Sequence, residues 1–234
     1  MAKFKNIEVN PEILASIQTA GVFTAADVVF PFTEIELPIE GACRVISISI
    51  LNRDHAAAKA ADFAGELHFS KSDTFALGTP NSTANMKPNN DLFATTTFGT
   101  ADFDAGIDLV SIATVDPDAL NGLILEPKAG SRSVYVSMIS KTSNEPDLRS
   151  LLTVDGAHEV GDVSLTVADV DATNVLAPGD VLHAADNAVI GTVASIASAT
   201  SVLLERPGVA EALEDDDVIH ILSPIRLIIG VEYA

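Results

Sequence analysis

The clearest hydrophobic pattern lies in Cys43-Arg-Val-Ile-Ser-Ile-Ser-Ile-Leu51. There Val45, Ile46, Ile48, Ile50 and Leu51 surround Ser47 and Ser49, which share one face. Near-period-two spacing with β-branched residues predicts a strand. Thr33-Glu-Ile-Glu-Leu37 alternates in the same way, and Pro38 stops it. Gly65–Ser70, Asp91–Phe98, Ile107–Val115 and Leu123–Leu125 read as further strands. Val134-Tyr-Val-Ser-Met-Ile139 alternates cleanly and closes the region. Asn121-Gly122 is its strongest short turn signal. Residues 54–64 suit a helix by propensity or an alanine-rich loop. Residues 72–91 hold Gly78, two prolines and four asparagines and read as a long loop. Residues 22–154 therefore read as a β-sandwich body, in one variant jelly-roll-like.

Residues 155–222 have a different texture. Their strands are short and evenly spaced: Val163–Val167, Val181–His183, Val189–Ile196, Ser201–Glu205 and Val218–Leu222. Pro178-Gly-Asp180 and Asp186-Asn187 mark turns between them. Five short strands in so short a block predict a small β-barrel, SH3-like in scale, which removes exposed sheet edges. Three stretches rhyme: Gly161-Asp-Val163, Gly179-Asp-Val-Leu182 and Asp216-Asp-Val-Ile219. They read as repeated turn-to-strand transitions, not as a duplication.

The two ends complete the all-β picture. Residues 1–21 read as an N-terminal arm with one short helix in Pro11-Glu-Ile-Leu-Ala-Ser-Ile17, capped by Asn10. Residues 223–234 are an apolar strand after Pro224. The favoured expectation returns this strand to the body, which makes the 155–222 module an insertion before it. The competing one adds it to a neighbouring subunit.

Charge changes the picture most. The chain carries 33 acidic and 13 basic residues, a net charge of -20, in 234 residues that are 47% hydrophobic. Thirteen acidic side chains and only Arg206 among bases fall in 155–222, which therefore holds -12 of that total. Direct DNA or RNA binding is disfavoured, because phosphate neutralisation dominates such affinity. Phe23, Phe30, Phe32, Phe93, Phe98 and Phe103 are not interleaved with bases, so they form no stacking platform. No apolar run reaches the length of a membrane span, and MAKFKNIEVNPE lacks the apolar core of a signal peptide. Without export, the Asn81-Ser-Thr83 sequon has no expected use. Cys43 is the single cysteine, so no intrachain disulfide forms.

Chemistry-bearing motifs are missing. His55, His68, His158, His183 and His220 include no closely spaced ligand pair. No phosphate loop, dinucleotide fingerprint, nucleophile elbow or zinc-protease helix occurs. The expectation is a non-enzyme with no catalytic, cofactor-binding or metal residues. Asp102-Phe-Asp104-Ala-Gly106-Ile-Asp108 resembles part of a calcium loop, but its glycine comes one position early and the closing glutamate is absent. A plain acidic turn is the favoured reading there, and likewise for Glu214-Asp-Asp-Asp217, with docking on a basic partner as the second reading. Scarce Tyr and absent Trp weigh against sugar binding.

The strand-and-long-loop texture of 22–154 resembles small virion structural proteins of tailed bacteriophages. So does the tract from Leu176 to Leu222, PGDVLHAADNAVIGTVASI followed by TSVLLERPGVAEALEDDDVIHIL. The resemblance implies a capsid decoration, or cement, protein. Such a protein is made in the host cytoplasm, bound to the major capsid protein on the virion surface, and is often a trimer. A tail, neck or baseplate component shares these features. A calcium-dependent or carbohydrate-binding adhesion module is the alternative from another class. The resemblance carries no functional residue onto this chain. Within it, the N-terminal arm and residues 223–234 are the expected contact elements, with the acidic barrel facing solvent.

Overall fold

The computed structural model describes residues 2–20, 23–53, 63–103, 110–120, 122–142, 151–168 and 171–234. The elements run in chain order as β1 (Lys3–Val9), α1 (Ala15–Ala20), β2 (Val28–Glu36), β3 (Cys43–Arg53), β4 (Gly65–Ser70) and β5 (Leu92–Phe98). There follow β6 (Val110–Thr114), α2 (Pro117–Leu120), β7 (Ile124–Leu125), β8 (Ser133–Ser140), β9 (Leu152–Val154) and β10 (Ser164–Ala168). The chain then forms α3 (Ala172–Val175), β11 (Val181–Ala184), β12 (Val189–Ser198), β13 (Ser201–Leu204), β14 (Val218–Ile221) and β15 (Ile225–Tyr233). The fold is all-β, and the helices among the described residues are single turns or little more.

Two sheets build the body. The first has the order β1-β15-β3-β6, with β7 also paired to β3. The second has the order β2-β8-β4-β5. Their inward side chains share one core, with Val45, Ile48, Ile50, Leu227 and Ile229 from one sheet meeting Phe30, Ile35, Leu67, Phe69 and Val136 from the other. Alternation along β3 explains this placement: Cys43, Val45, Ile48 and Ile50 are buried, while Arg44 and Ile46 face outward. Phe63, Phe98 and Phe103 pack edge-on or tilted at 5.3 to 6.1 Å and fill one end of this core.

The loop after β4 has a definite task. Val28 N–H donates to Ser82 O at 2.9 Å, Asn81 N–H to Val28 O at 2.8 Å and Ala84 N–H to Ala26 O at 2.8 Å. Leu77 is buried beside Val28 and Ile139. The loop thus covers the edge of the second sheet, where bare backbone would otherwise invite pairing.

The second unit is a closed barrel of six strands in the order β10-β13-β12-β11-β14-β9. Its own core includes Leu165, Val167, Leu182, Ile190, Val193, Val202 and Ile219. β9 lies upstream of residue 155, where composition places the start of the module. It closes the barrel by pairing with both β10 and β14. The barrel stands in the chain between β8 and β15. β15 itself runs between β1 and β3, in register with both.

The N-terminal segment departs from the arm expected from sequence. Lys3–Val9 is a full edge strand on β15, with Ile7 and Val9 in the core. The helix starts at Ala15, later than expected. Ile13 N–H donates to Leu222 O at 2.6 Å, which holds this residue against the barrel's exit strand. Of residues 54–64, expected as helix or loop, residues 54–62 lie outside those described.

Candidate functional site

The histidines are packed, not gathered. His68 is buried on β4, its Nε2 2.9 Å from Glu66 Oε1 but without hydrogen-bond geometry. Burial holds its pKa below the ordinary imidazole value; Glu66 opposes that shift and Lys141 adds to it. His183 and His220 are cross-strand neighbours on β11 and β14, with ring centroids 6.0 Å apart. His183 Nδ1 lies 3.0 Å from Asn187 O. Both ring nitrogens of His220 are buried without a hydrogen-bond partner. Its pKa is lowered to about 4, first by burial and then by His183, while contact with the His183 backbone opposes. His158 Nε2 lies 3.0 Å from Thr166 Oγ1, bracing a turn. His55 falls outside the described residues. Cys43 is buried in the body core, and burial raises its thiol pKa. Among the described residues, no three His, Cys, Asp or Glu side chains form a metal-binding group.

The acidic clusters resolve into turn chemistry. Asp162, Asp180 and Asp217 each close a four-residue turn. Their Oδ2 atoms accept from the N–H groups of Glu159, Ala177 and Glu214 at 2.7 to 2.9 Å. In each turn the aspartate's own N–H donates back to the first residue's carbonyl. The third position is left-handed: Gly161 at φ +97°, Gly179 at +92° and Asp216 at +69°. Thr24–Asp27 in the body repeats the arrangement, with Ala26 at φ +75°. The sequence rhyme is therefore one turn used repeatedly, each carboxylate holding an otherwise unpaired amide. Asp215 serves another turn by accepting from Gly156 N–H at 2.7 Å. Asp102 Oδ2 accepts from Gly99 N–H at 2.7 Å, and Asp104, Gly106 and Asp108 lie outside the described residues.

Body and barrel meet through polar contacts that no local motif announces. Arg53 Nη1 donates to both carboxylate oxygens of Asp180, at 2.8 and 2.7 Å, with side chains only 21% and 12% exposed. Gln18 Nε2 donates to Ile13 O and to Ile221 O, at 2.7 and 2.8 Å. Arg53 N–H donates to Pro224 O at 2.8 Å. Sequence reading missed this junction because its partners stand far apart in the chain. A cleft of about 330 Å³ opens beside it, between Asn10, Glu12, Asp180, His183 and Arg226.

The outer surface of the first sheet is the most unusual face. Cross-strand register aligns Phe4, Glu232, Arg44 and Ile124 in one row. Phe4 is 64% exposed and Ile124 51%. Arg226, Leu51 and Ile112 form another row at the far end. Ile228 and Ser49 stand between, beside Gly230 and Ser47. Its outward charges are Arg44 and Arg226 against Glu8 and Glu232, an even balance in an acidic chain, while Lys3 and Lys5 fall in register on the side of Ile7 and Val9. A second groove of about 460 Å³ lies on the other sheet, lined by Ala26, Glu66, Met86, Ile139 and Lys141.

A scan against protein-family models gave no match, and searches of curated proteins and of solved structures gave none either.

Proposed function

We propose that the chain is a non-catalytic virion structural protein of the tailed-phage kind, a decoration protein that clads a capsid shell. The two-sheet body attaches to the shell and the acidic barrel projects from it. In finer fold terms we read the body as a jelly-roll variant and the barrel as SH3-like. The observation that supports this reading most is the partition of charge. The first sheet has five basic and two acidic residues, while residues 155–222 hold -12 of the net -20. A projecting acidic module repels its neighbours on a crowded lattice and keeps particles apart. The rest of the chain, residues 1–154 and 223–234, carries the remaining -8 over a much longer stretch, so the body meets a shell surface with less repulsion than the barrel would. Lys3, Phe4 and Lys5, exposed at the end of the edge strand β1, are the proposed attachment tip. Many small interfaces of this kind stabilise a shell by mass action.

The test is mass spectrometry of purified particles with copy numbers, followed by titration of the chain onto undecorated shells. The expected result is a high, lattice-related copy number and saturable binding that raises the shell's disruption temperature. A few copies per particle would move the protein to a tail, neck or baseplate position. Absence from particles would end both virion readings.

A further inference from the structure

The outward side chains of β15, read along the strand, are Arg226, Ile228, Gly230 and Glu232. Reversed, the order is acid, small, large, base. Each member then opposes its complement: charge meets opposite charge, and the large side chain meets the position with none. A strand with this property is matched to an antiparallel copy of itself. We propose that two copies of the chain pair face to face through the outer surface of the first sheet, about a two-fold axis crossing β15 near Ile229.

The surroundings agree with this pairing. Gly230 is buried, and the space a Cβ would take is held by the Ser47 hydroxyl, with Asn6 and Ile46 alongside, which makes a closed floor there. Ile228 of the partner copy would rest on that floor. The neighbouring β3 positions there are Ser47 and Ser49, so small side chains meet small ones. Ile46 near the centre, and Leu51 and Ile112 at the Arg226 end, give the face an apolar area that alternation would ordinarily fill with polar residues. Charge on the face is balanced, with Glu8 and Glu232 against Arg44 and Arg226. The existing pairs are open to exchange: Arg226 lies 3.3 Å from Glu8, and Arg44 lies 3.9 Å from Glu232, its side chain 64% exposed. Elsewhere a chain of net charge -20 repels its copy.

The face is four strands wide, about 19 Å, and about 25 Å long. A pair would therefore bury on the order of 1,000 Å² in total, at the low end for specific interfaces. The association is accordingly weak and reversible. It is two-fold, in place of the trimer that the resemblance implies, and it is read on the isolated chain, without any shell.

Sedimentation equilibrium of the full chain over roughly 1 to 100 µM tests this. The mass is expected to rise with concentration from 24.4 kDa toward twice that value. R226E and E232R are each expected to remain monomeric, because each places like charges at both ends of the contact. Mixed in equal amounts, they are expected to pair. Positions 226 and 232 of one chain are about 20 Å apart along the strand, so rescue on mixing cannot come from within a copy. A wild-type chain that stays monomeric at the highest concentration overturns the proposal. So does a mixture no heavier than its parts, or a trimer that both variants retain. If a charge variant fails to fold by circular dichroism, I228S replaces it. That substitution leaves both charges in place, is expected to abolish pairing, and overturns the proposal if pairing persists.

Discussion

His220 has no exposed surface, and neither ring nitrogen has a hydrogen-bond partner. Its pKa of about 4 in the folded barrel lies below the ordinary 6.5. Between those values the unfolded chain takes up a proton that the folded chain refuses. Stability therefore falls as pH drops from about 6.5 to about 4, and the loss is complete below 4. The limit is about 3 kcal/mol. His220→Leu is expected to flatten that part of the profile without lowering stability at pH 7.5, since an apolar side chain suits this fully buried site. Urea midpoints of both proteins from pH 7.5 to 4 check this. An unchanged slope in the variant would assign the pH dependence to other groups. Cys43 and the core phenylalanines need no such account, because apolar burial explains their positions.

At the scale of elements, the repeated aspartate-closed turn governs how the barrel is strung together. Its left-handed third position is filled by glycine twice and by Asp216 once. A side chain there is strained by roughly 0.5–1 kcal/mol relative to glycine. Asp216→Gly is therefore expected to raise the melting temperature by about 2 °C, and to relieve a row of four adjacent acids. Asp162→Ala is expected to lower stability by about 1 kcal/mol, with Asp162→Asn costing less because an acceptor remains. Thermal melts of the three variants decide this, and a stabilised Asp162→Ala would contradict the assigned role of the carboxylate.

The same elements show what the sequence made legible. β3, β8 and the five short strands from Ser164 to Ile221 announce themselves by alternation and by Gly-Asp turns. β1 does not, because an edge strand buries little. Only Ile7 and Val9 reach the core, and Lys3, Lys5 and Glu8 break the apolar rhythm. β9 is three residues long, too short for a period to register. The helix starts later than its apolar spacing predicts because Ile13, which fits that spacing, is held by Leu222 instead. Ser47 and Ser49 were legible as a polar face, but the rows of the outer surface depend on register, which needs the partner strands.

At the scale of the whole molecule, strong polar contacts tie the barrel to the body. Arg53 and Asp180 are separated by 127 positions, yet form a partly buried pair in which Nη1 meets both carboxylate oxygens. Arg53→Ala leaves the Asp180 carboxylate without its cation, an outcome that costs about 1–3 kcal/mol at the junction. The barrel's own core is untouched by that change. The expected result is a broader range of barrel orientations, seen as a larger radius of gyration in small-angle scattering, with the barrel's exchange-protected amides unchanged. An identical scattering profile would show that Gln18 and the backbone bonds suffice.

The position of β15 has a temporal meaning. The strand that fills the gap between β1 and β3 is made after the other strands described. During synthesis the barrel has all six of its strands while the body's first sheet still lacks its middle. β1 then waits unpaired and β3 with one open edge, bridged only when residues 225–233 leave the ribosome. Partners spanning nearly the whole chain make this a slow, non-local closure. The acidic barrel, already folded and strongly charged, would keep such half-built chains apart during that interval, acting as a built-in solubility tag.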